Sequence, residues 1–232
     1  QKSFNLEIID KFKNAFSDDE EKELVLISKK LSTRKKILDP SIFKREIERF
    51  TVEFAWKSSK IEGNTYSLLE TEILIKQMKE AAGHTRYEAQ MILNHKSAID
   101  YILLNPNEFR KLTVDKIINL HGLLIKDLEV STGIRKNKVV ITGTEYMPLG
   151  NQRQIEIALQ KIAATINKIN FPLTKALLVA LMIAYLQPFV DGNKRTSRTL
   201  ANAILIAHDL YPLSYCDIDI VEYIKAMILF YE

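Results

Sequence analysis

Apolar positions in this chain recur mostly at helical spacing. Between Pro40 and Ile61, the residues Ile42, Phe43, Ile47, Phe50, Phe54 and Ile61 fall near one face of a helix. Glu62-Gly63-Asn64 follows and ends that helix, because Gly and Asn tolerate a left-handed C-terminal cap. An earlier helix starts near Ser17, where Ser17-Asp18-Asp19-Glu20 has the spacing of a capping box. The same reading predicts helices over Ser67–Ala81, Tyr87–Leu104, Thr113–Leu128 and Ile155–Ile169. Leu173–Leu186 is apolar almost throughout, which marks a core helix; its purely apolar run, Ala176–Leu186, is 11 residues long. Crossing a bilayer takes roughly 20. A polar loop, Gln187–Lys194, leads into a helix over Arg195–His208, and a last helix starts near Ile218. The sole strand–turn–strand pattern is Lys138–Thr142, Gly143, then Glu145–Met147, which predicts a short β-hairpin. The expected fold is mainly α with one hairpin.

Composition supports that picture. Only 7 glycines and 6 prolines punctuate 232 residues, which favours long helices over a turn-rich β fold. The length and the 47% hydrophobic content suffice for one well-buried domain, or one domain with an appended helical subdomain. Lys and Arg total 33 against 29 acidic residues, and a net charge of +4 argues against a dedicated nucleic-acid binder. The basic stretch Lys29–Lys36 reads as a solvated helix face. A single cysteine, Cys216, excludes an internal disulfide and a cysteine metal site, and suits a reducing, cytoplasmic setting. No membrane segment or secretory signal is visible. The start at Gln1 and the unfinished helix at Tyr231-Glu232 leave room for an upstream piece and a further C-terminal domain.

The chemistry concentrates in Gln187–Arg198 (QPFVDGNKRTSR). An apolar helix delivers a short polar loop whose far end opens another helix, and free amides with the helix dipole favour anions there. Gly192 has no side chain to keep a phosphate from the backbone. Arg195 and Arg198 are spaced to project toward one anion, and Asp191 is a hard oxygen ligand suited to Mg²⁺. Phe189, set among polar neighbours, points into the core and anchors the loop. On these residues alone, an ordinary turn with Asn193 capping the next helix and solvated arginines accounts for the pattern equally well.

The stretch resembles the Fic motif HPFx(D/E)GNGRxxR, matching at Pro188, Phe189, Asp191, Gly192, Asn193, Arg195 and Arg198. The resemblance implies a Fic-type helical bundle that binds ATP with Mg²⁺ and transfers AMP to a hydroxyl of a target protein. It implies that Asp191 holds the metal, Gly192 and Asn193 form the anion hole, and Lys194, Arg195 and Arg198 line the phosphate path. Gly133–Pro148 resembles the family's flap, a hairpin that aligns the target by strand pairing, here through Val140, Ile141, Thr142, Gly143 and Tyr146. Ser58–Gly63 (SSKIEG) resembles the inhibitory motif (S/T)xxxE(G/N), which implies that Ser58, Glu62 and Gly63 form a brake in which Glu62 pairs with Arg198. Residues 1–84 are then an N-terminal helical region carrying that motif, and residues 85–232 the Fic core. Family members often self-associate, which makes a homodimer a candidate.

Two positions depart from the motif. Gln187 stands where the family has the histidine that acts as general base, and an amide takes up no proton near neutral pH. His84, His95, His121 and His208 are not adjacent to it and read as packing or surface residues. Lys194 replaces a glycine, as in the Doc branch, whose members resemble kinases. Three functions therefore compete: an adenylyltransferase impaired at its base, a nucleotide-binding regulator without catalysis, and a Doc-like protein kinase.

Overall fold

The computed structural model describes residues 3–37 and 39–232, without the side chains of residues 29–37, so the basic character of Lys29–Lys36 lies outside the described residues. The helices run in the order α1 (Ile8–Lys11), α2 (Asp18–Ile37), α3 (Pro40–Ile61), α4 (Leu68–Gln77) and α5 (Arg86–Leu104). After a 3-10 turn at Pro106–Arg110 come α6 (Val114–Leu124), α7 (Gln152–Asn167), α8 (Pro172–Leu186), α9 (Asn193–Ala207) and α10 (Ile220–Tyr231). Local chemistry explains most of the starts. The Ser17 amide donates to Glu20 at 2.7 Å and its hydroxyl receives the Glu20 amide at 3.3 Å, the expected capping box. Ser67 with Glu70 and Thr85 with Glu88 repeat the device at α4 and α5, while Asp39, Thr113, Asn151 and Asp219 cap α3, α6, α7 and α10.

The apolar helix α8 lies at the centre, and α9 folds back along it. Their shared core takes Phe50 and Phe54 from α3, Ile99 and Ile102 from α5, Ile117, Leu120 and Leu124 from α6, and Ile155, Leu159 and Ile162 from α7. A smaller cluster of Ala55, Tyr66, Leu74, Ala89 and Ile92 seats α4 on α3 and α5. The predicted α3 face is buried at Phe50, Phe54 and Ile61, whereas Ile42 is exposed. α4 stops short of Ala81 because Met78 turns left-handed, at φ 55°. No helix among the described residues is long and apolar enough to cross a membrane.

The predicted hairpin is a correction: among the described residues no strand ladder forms. The segment 138–147 runs without regular structure around a turn at Thr142-Gly143, and its one bridge joins Met147 to Ser3. Its return arm is drawn away from its outgoing arm. Tyr146 is buried between Tyr185 and Tyr231, with ring centroids 4.6 and 5.6 Å away, and its hydroxyl donates to the Tyr185 carbonyl at 2.8 Å. The Glu145 amide donates to the Glu232 carboxylate at 3.0 Å, and the Phe4 amide to the Met147 carbonyl at 3.3 Å. Partners distant in sequence thus displace the pairing that the local alternation suggests.

Candidate functional site

The loop between α8 and α9 is built by its own side chains. Gln187 caps α8 in a left-handed conformation, φ 50°, and its amide donates back to the Ala184 carbonyl at 2.6 Å. Phe189 is fully buried and stacks on His121, with ring centroids 3.6 Å apart, which fulfils its anchoring role. The Asn193 side chain closes the loop: it receives the Phe189 amide at 2.9 Å and donates to the Phe189 carbonyl at 2.9 Å. The Asn193 side chain is therefore committed to the shape of the loop itself. Gly192 sits at φ 78°, and a Cβ there would stand 3.1 Å from Ile125 Cγ2. The first helical bond of α9 runs from the Thr196 amide to the Gly192 carbonyl at 2.8 Å. The amides of Asn193, Lys194 and Arg195 thus lack an intrahelical acceptor and present a positive helix end.

Both motif arginines point inward. Arg195 is 2% exposed and pairs with Asp191 at 2.8 Å. Tyr87, at the start of α5, donates to the same Asp191 oxygen at 3.4 Å. Arg198 is wholly buried and meets the last turn of α3: Nε donates to Ser58 Oγ at 3.0 Å, and Nη2 donates to the Ser58 carbonyl at 2.9 Å and to Glu62 at 2.7 Å. Its Nη1 is buried without a hydrogen-bond partner, an orphan donor aimed at no protein acceptor. Burial works against the guanidinium charge, but the Glu62 carboxylate more than offsets it and holds the group above its ordinary range. Gly63, at φ 93°, then turns the chain away.

Three contributors escape a reading by motif. Arg135 is 2% exposed and donates to the carbonyls of Gln187 at 2.6 Å, Asn137 at 2.6 Å and Leu149 at 2.5 Å, clamping the motif loop to both ends of the flap-like segment. His121 and His95 are fully buried beside the site, on the apolar stripes Ile117–Leu120–His121–Leu124 and Ile92–His95–Ile99–Ile102. A polar ring on such a stripe is the signal that could have found them. His121 Nε2 donates to the Asp191 carbonyl at 2.9 Å, and its Nδ1 is buried without a partner. Burial holds His121 down to about 4 and His95 to about 3, so both are neutral at pH 7. Neither reaches the surface. Of the flap residues, Val140, Thr142 and Gly143 are exposed, Ile141 and Lys194 are half-buried, and Tyr146 is packed away in the core.

The fold and site therefore define a helical protein with unpaired backbone amides at the start of α9 and, further along the same helix, a buried guanidinium that a carboxylate already holds. Residues 111–205 match the model of the Fic/DOC family. It is 26% identical over 176 residues to a protein adenylyltransferase Fic of Nematostella vectensis, covering 73% of this chain and 41% of the relative. With the protein of the same name from Culex quinquefasciatus the identity is 27%, covering 73% of this chain and 34% of the relative. The chain thus spans well under half the length of these relatives. Its fold resembles Fic-1 (residues 134–508) from C. elegans, with a TM-score of 0.73 at 17% identity over 90% of this chain and 63% of that one. A Fic domain containing signaling protein from Bacteroides thetaiotaomicron gives 0.69 at 22% identity, over 84% and 77% of the two chains.

Proposed function

We propose that this chain is a nucleotide site of the protein-adenylyltransferase type, which binds ATP and is held off by Glu62. The observation that carries the reading is the 2.7 Å pair between Glu62 and the buried Arg198. The names of the curated relatives support the reaction class. In that reaction a target hydroxyl forms a bond to the α-phosphorus of ATP, pyrophosphate leaves, and the hydroxyl proton needs an acceptor. The α9 start, with Gly192 left bare, suits the phosphate chain, and the orphan Nη1 of Arg198 suits its outer end. Asp191, whose carboxylate is half exposed beside Arg195, would hold Mg²⁺, which would neutralise phosphate charge when bound. Exposed Val140, Thr142 and Gly143, with Ile141, serve as the edge on which an extended target peptide pairs.

While Glu62 occupies Arg198, the guanidinium is withheld from the γ-phosphate. Gln187 adds a second impediment. Its amide is engaged with Ala184 and holds no proton-accepting nitrogen, so loss of general-base catalysis, worth about 10²–10⁴-fold, falls on transfer and not on binding.

Four proteins test the reading with ATP labelled at the α- or γ-phosphate: wild type, Glu62→Gly, Gln187→His and the double variant. Strong α-label on protein is expected in the double variant and little in wild type. Label from the γ position replaces this reading with the kinase suggested by Lys194. If none of the four binds ATP, the site assignment fails.

A further inference from the structure

The brake has a support behind it that lies outside the motif. Ser58 Oγ is fully buried and stands between two groups: it receives Arg198 Nε–H at 3.0 Å and lies 2.9 Å from His95 Nε2. Arg198 can only donate, so the serine oxygen must turn a lone pair to it. The state of His95 follows from its other edge. Nδ1 lies 2.9 Å from the Met91 carbonyl, an acceptor without a proton, so Nδ1 carries the hydrogen and Nε2 is the bare acceptor. The Ser58 proton is therefore drawn to Nε2, and its lone pairs face Arg198. Burial, which keeps the ring neutral, keeps this arrangement in place. Phe54 packs edge-on against the ring at 5.7 Å and fixes its orientation.

We propose that His95 is a positioning residue of the autoinhibited state: it orients the Ser58 hydroxyl so that Arg198 is locked toward Glu62 and away from nucleotide phosphate. The inference rests on the reading of Glu62 as a brake and assigns His95 a part in it. His95 is wholly buried, and it acts only through Ser58 and Arg198.

The test is ATP-Mg²⁺ affinity, by calorimetry, for Ser58→Ala, His95→Leu, His95→Gln and each of these combined with Glu62→Gly. One neutral hydrogen bond is worth about 0.5–1.5 kcal/mol, so His95→Leu should tighten ATP binding about 2- to 10-fold, and Ser58→Ala, which also removes the charge-assisted bond from Arg198, at least as much. Their combination should gain no more than Ser58→Ala alone, because they break one relay. His95→Gln, whose side-chain oxygen can take the Nε2 position and accept the Ser58 proton, should keep wild-type affinity. In the Glu62→Gly background the His95 effect should vanish. Unchanged affinity in His95→Leu, or equal effects of Leu and Gln, with Glu62→Gly still tightening binding, overturns the role of His95 and leaves the brake standing. If Glu62→Gly itself changes nothing, the brake and the role of His95 fall together. Thermal melts of each variant separate a folding defect from a change in affinity.

Discussion

A buried guanidinium without a counter-charge is costly, and Arg198 shows how this chain meets that cost. It is wholly buried, and Glu62, 23% exposed, is its ion-pair partner. Removing one member of a buried pair leaves the other uncompensated. Glu62→Gly should therefore destabilise the nucleotide-free protein by about 3–5 kcal/mol, nearer the lower figure because Glu62 is partly exposed, read as a lower melting temperature, and ATP should restore more of that loss than it adds to the wild type. Equal gains from ATP in both would count against competition for Arg198. The buried histidines make a second prediction. His121 and His95 titrate in the fold at about 4 and about 3, below the ordinary value near 6.5. Both values are depressed, so the unfolded chain takes up the protons first as pH falls. Stability from each ring is fully present above about 6.5 and drains away below it, with a slope of up to about 1.4 kcal/mol per pH unit per ring. Urea titrations at pH 7.5 and 5.0 should show that loss, and His121→Asn should remove one ring's share of the slope whatever it does to absolute stability. At this scale the motif loop was legible because its residues are close in sequence. Arg135, His95 and His121 were not, because their partners lie tens of residues away.

Helices were legible for the same reason of locality: caps and apolar stripes are written within a few residues, as Ser17 with Glu20 and Thr85 with Glu88 show. The hairpin ladder was misread because alternation records only which side chains dislike water. It does not record that Tyr146 would find Tyr185 and Tyr231. Anchoring through that one ring should be testable. Tyr146→Ala removes a buried aromatic and its hydroxyl bond, costing roughly 3–5 kcal/mol, and should raise hydrogen exchange across 138–147 more than across α8. Uniform loosening of both would mean that the segment has no separate anchor. The α9 start makes an opposite demand, for absence rather than bulk. A Cβ at Gly192 meets Ile125 Cγ2 at 3.1 Å in a backbone conformation that L-residues rarely adopt. Gly192→Ala should cost about 1 kcal/mol or more of stability and should weaken ATP binding beyond what that instability explains. Full ATP affinity in a folded Gly192→Ala protein would remove the loop from the phosphate path.

At the scale of the whole molecule, α3 does two jobs with one set of side chains. Its middle, Phe50 and Phe54, enters the same core as α5, α8 and α9, while its last turn carries Ser58 and Glu62 to Arg198. The distance between Glu62 and Arg198 is therefore set by core packing and not by a flexible tether. Residues 1–84, set apart in sequence by their motif, are joined in space to residues 85–232 by buried apolar surface. A chain limited to residues 85–232 would expose the face of α5 that packs on α3, His95 included, and would leave Arg198 without Ser58 or Glu62. Apolar burial is worth about 25 cal/mol per Å², and two phenylalanines alone withdraw several kcal/mol, comparable with the whole stability of an ordinary domain. The truncated chain should therefore unfold without cooperativity, or expose enough apolar surface to bind a hydrophobic dye, when purified and melted in parallel with the full chain. A sharp transition at the temperature of the full chain would mean that the core closes without α3. In that case the brake would be a detachable element, and ATP affinity in the truncated protein should equal that of Glu62→Gly.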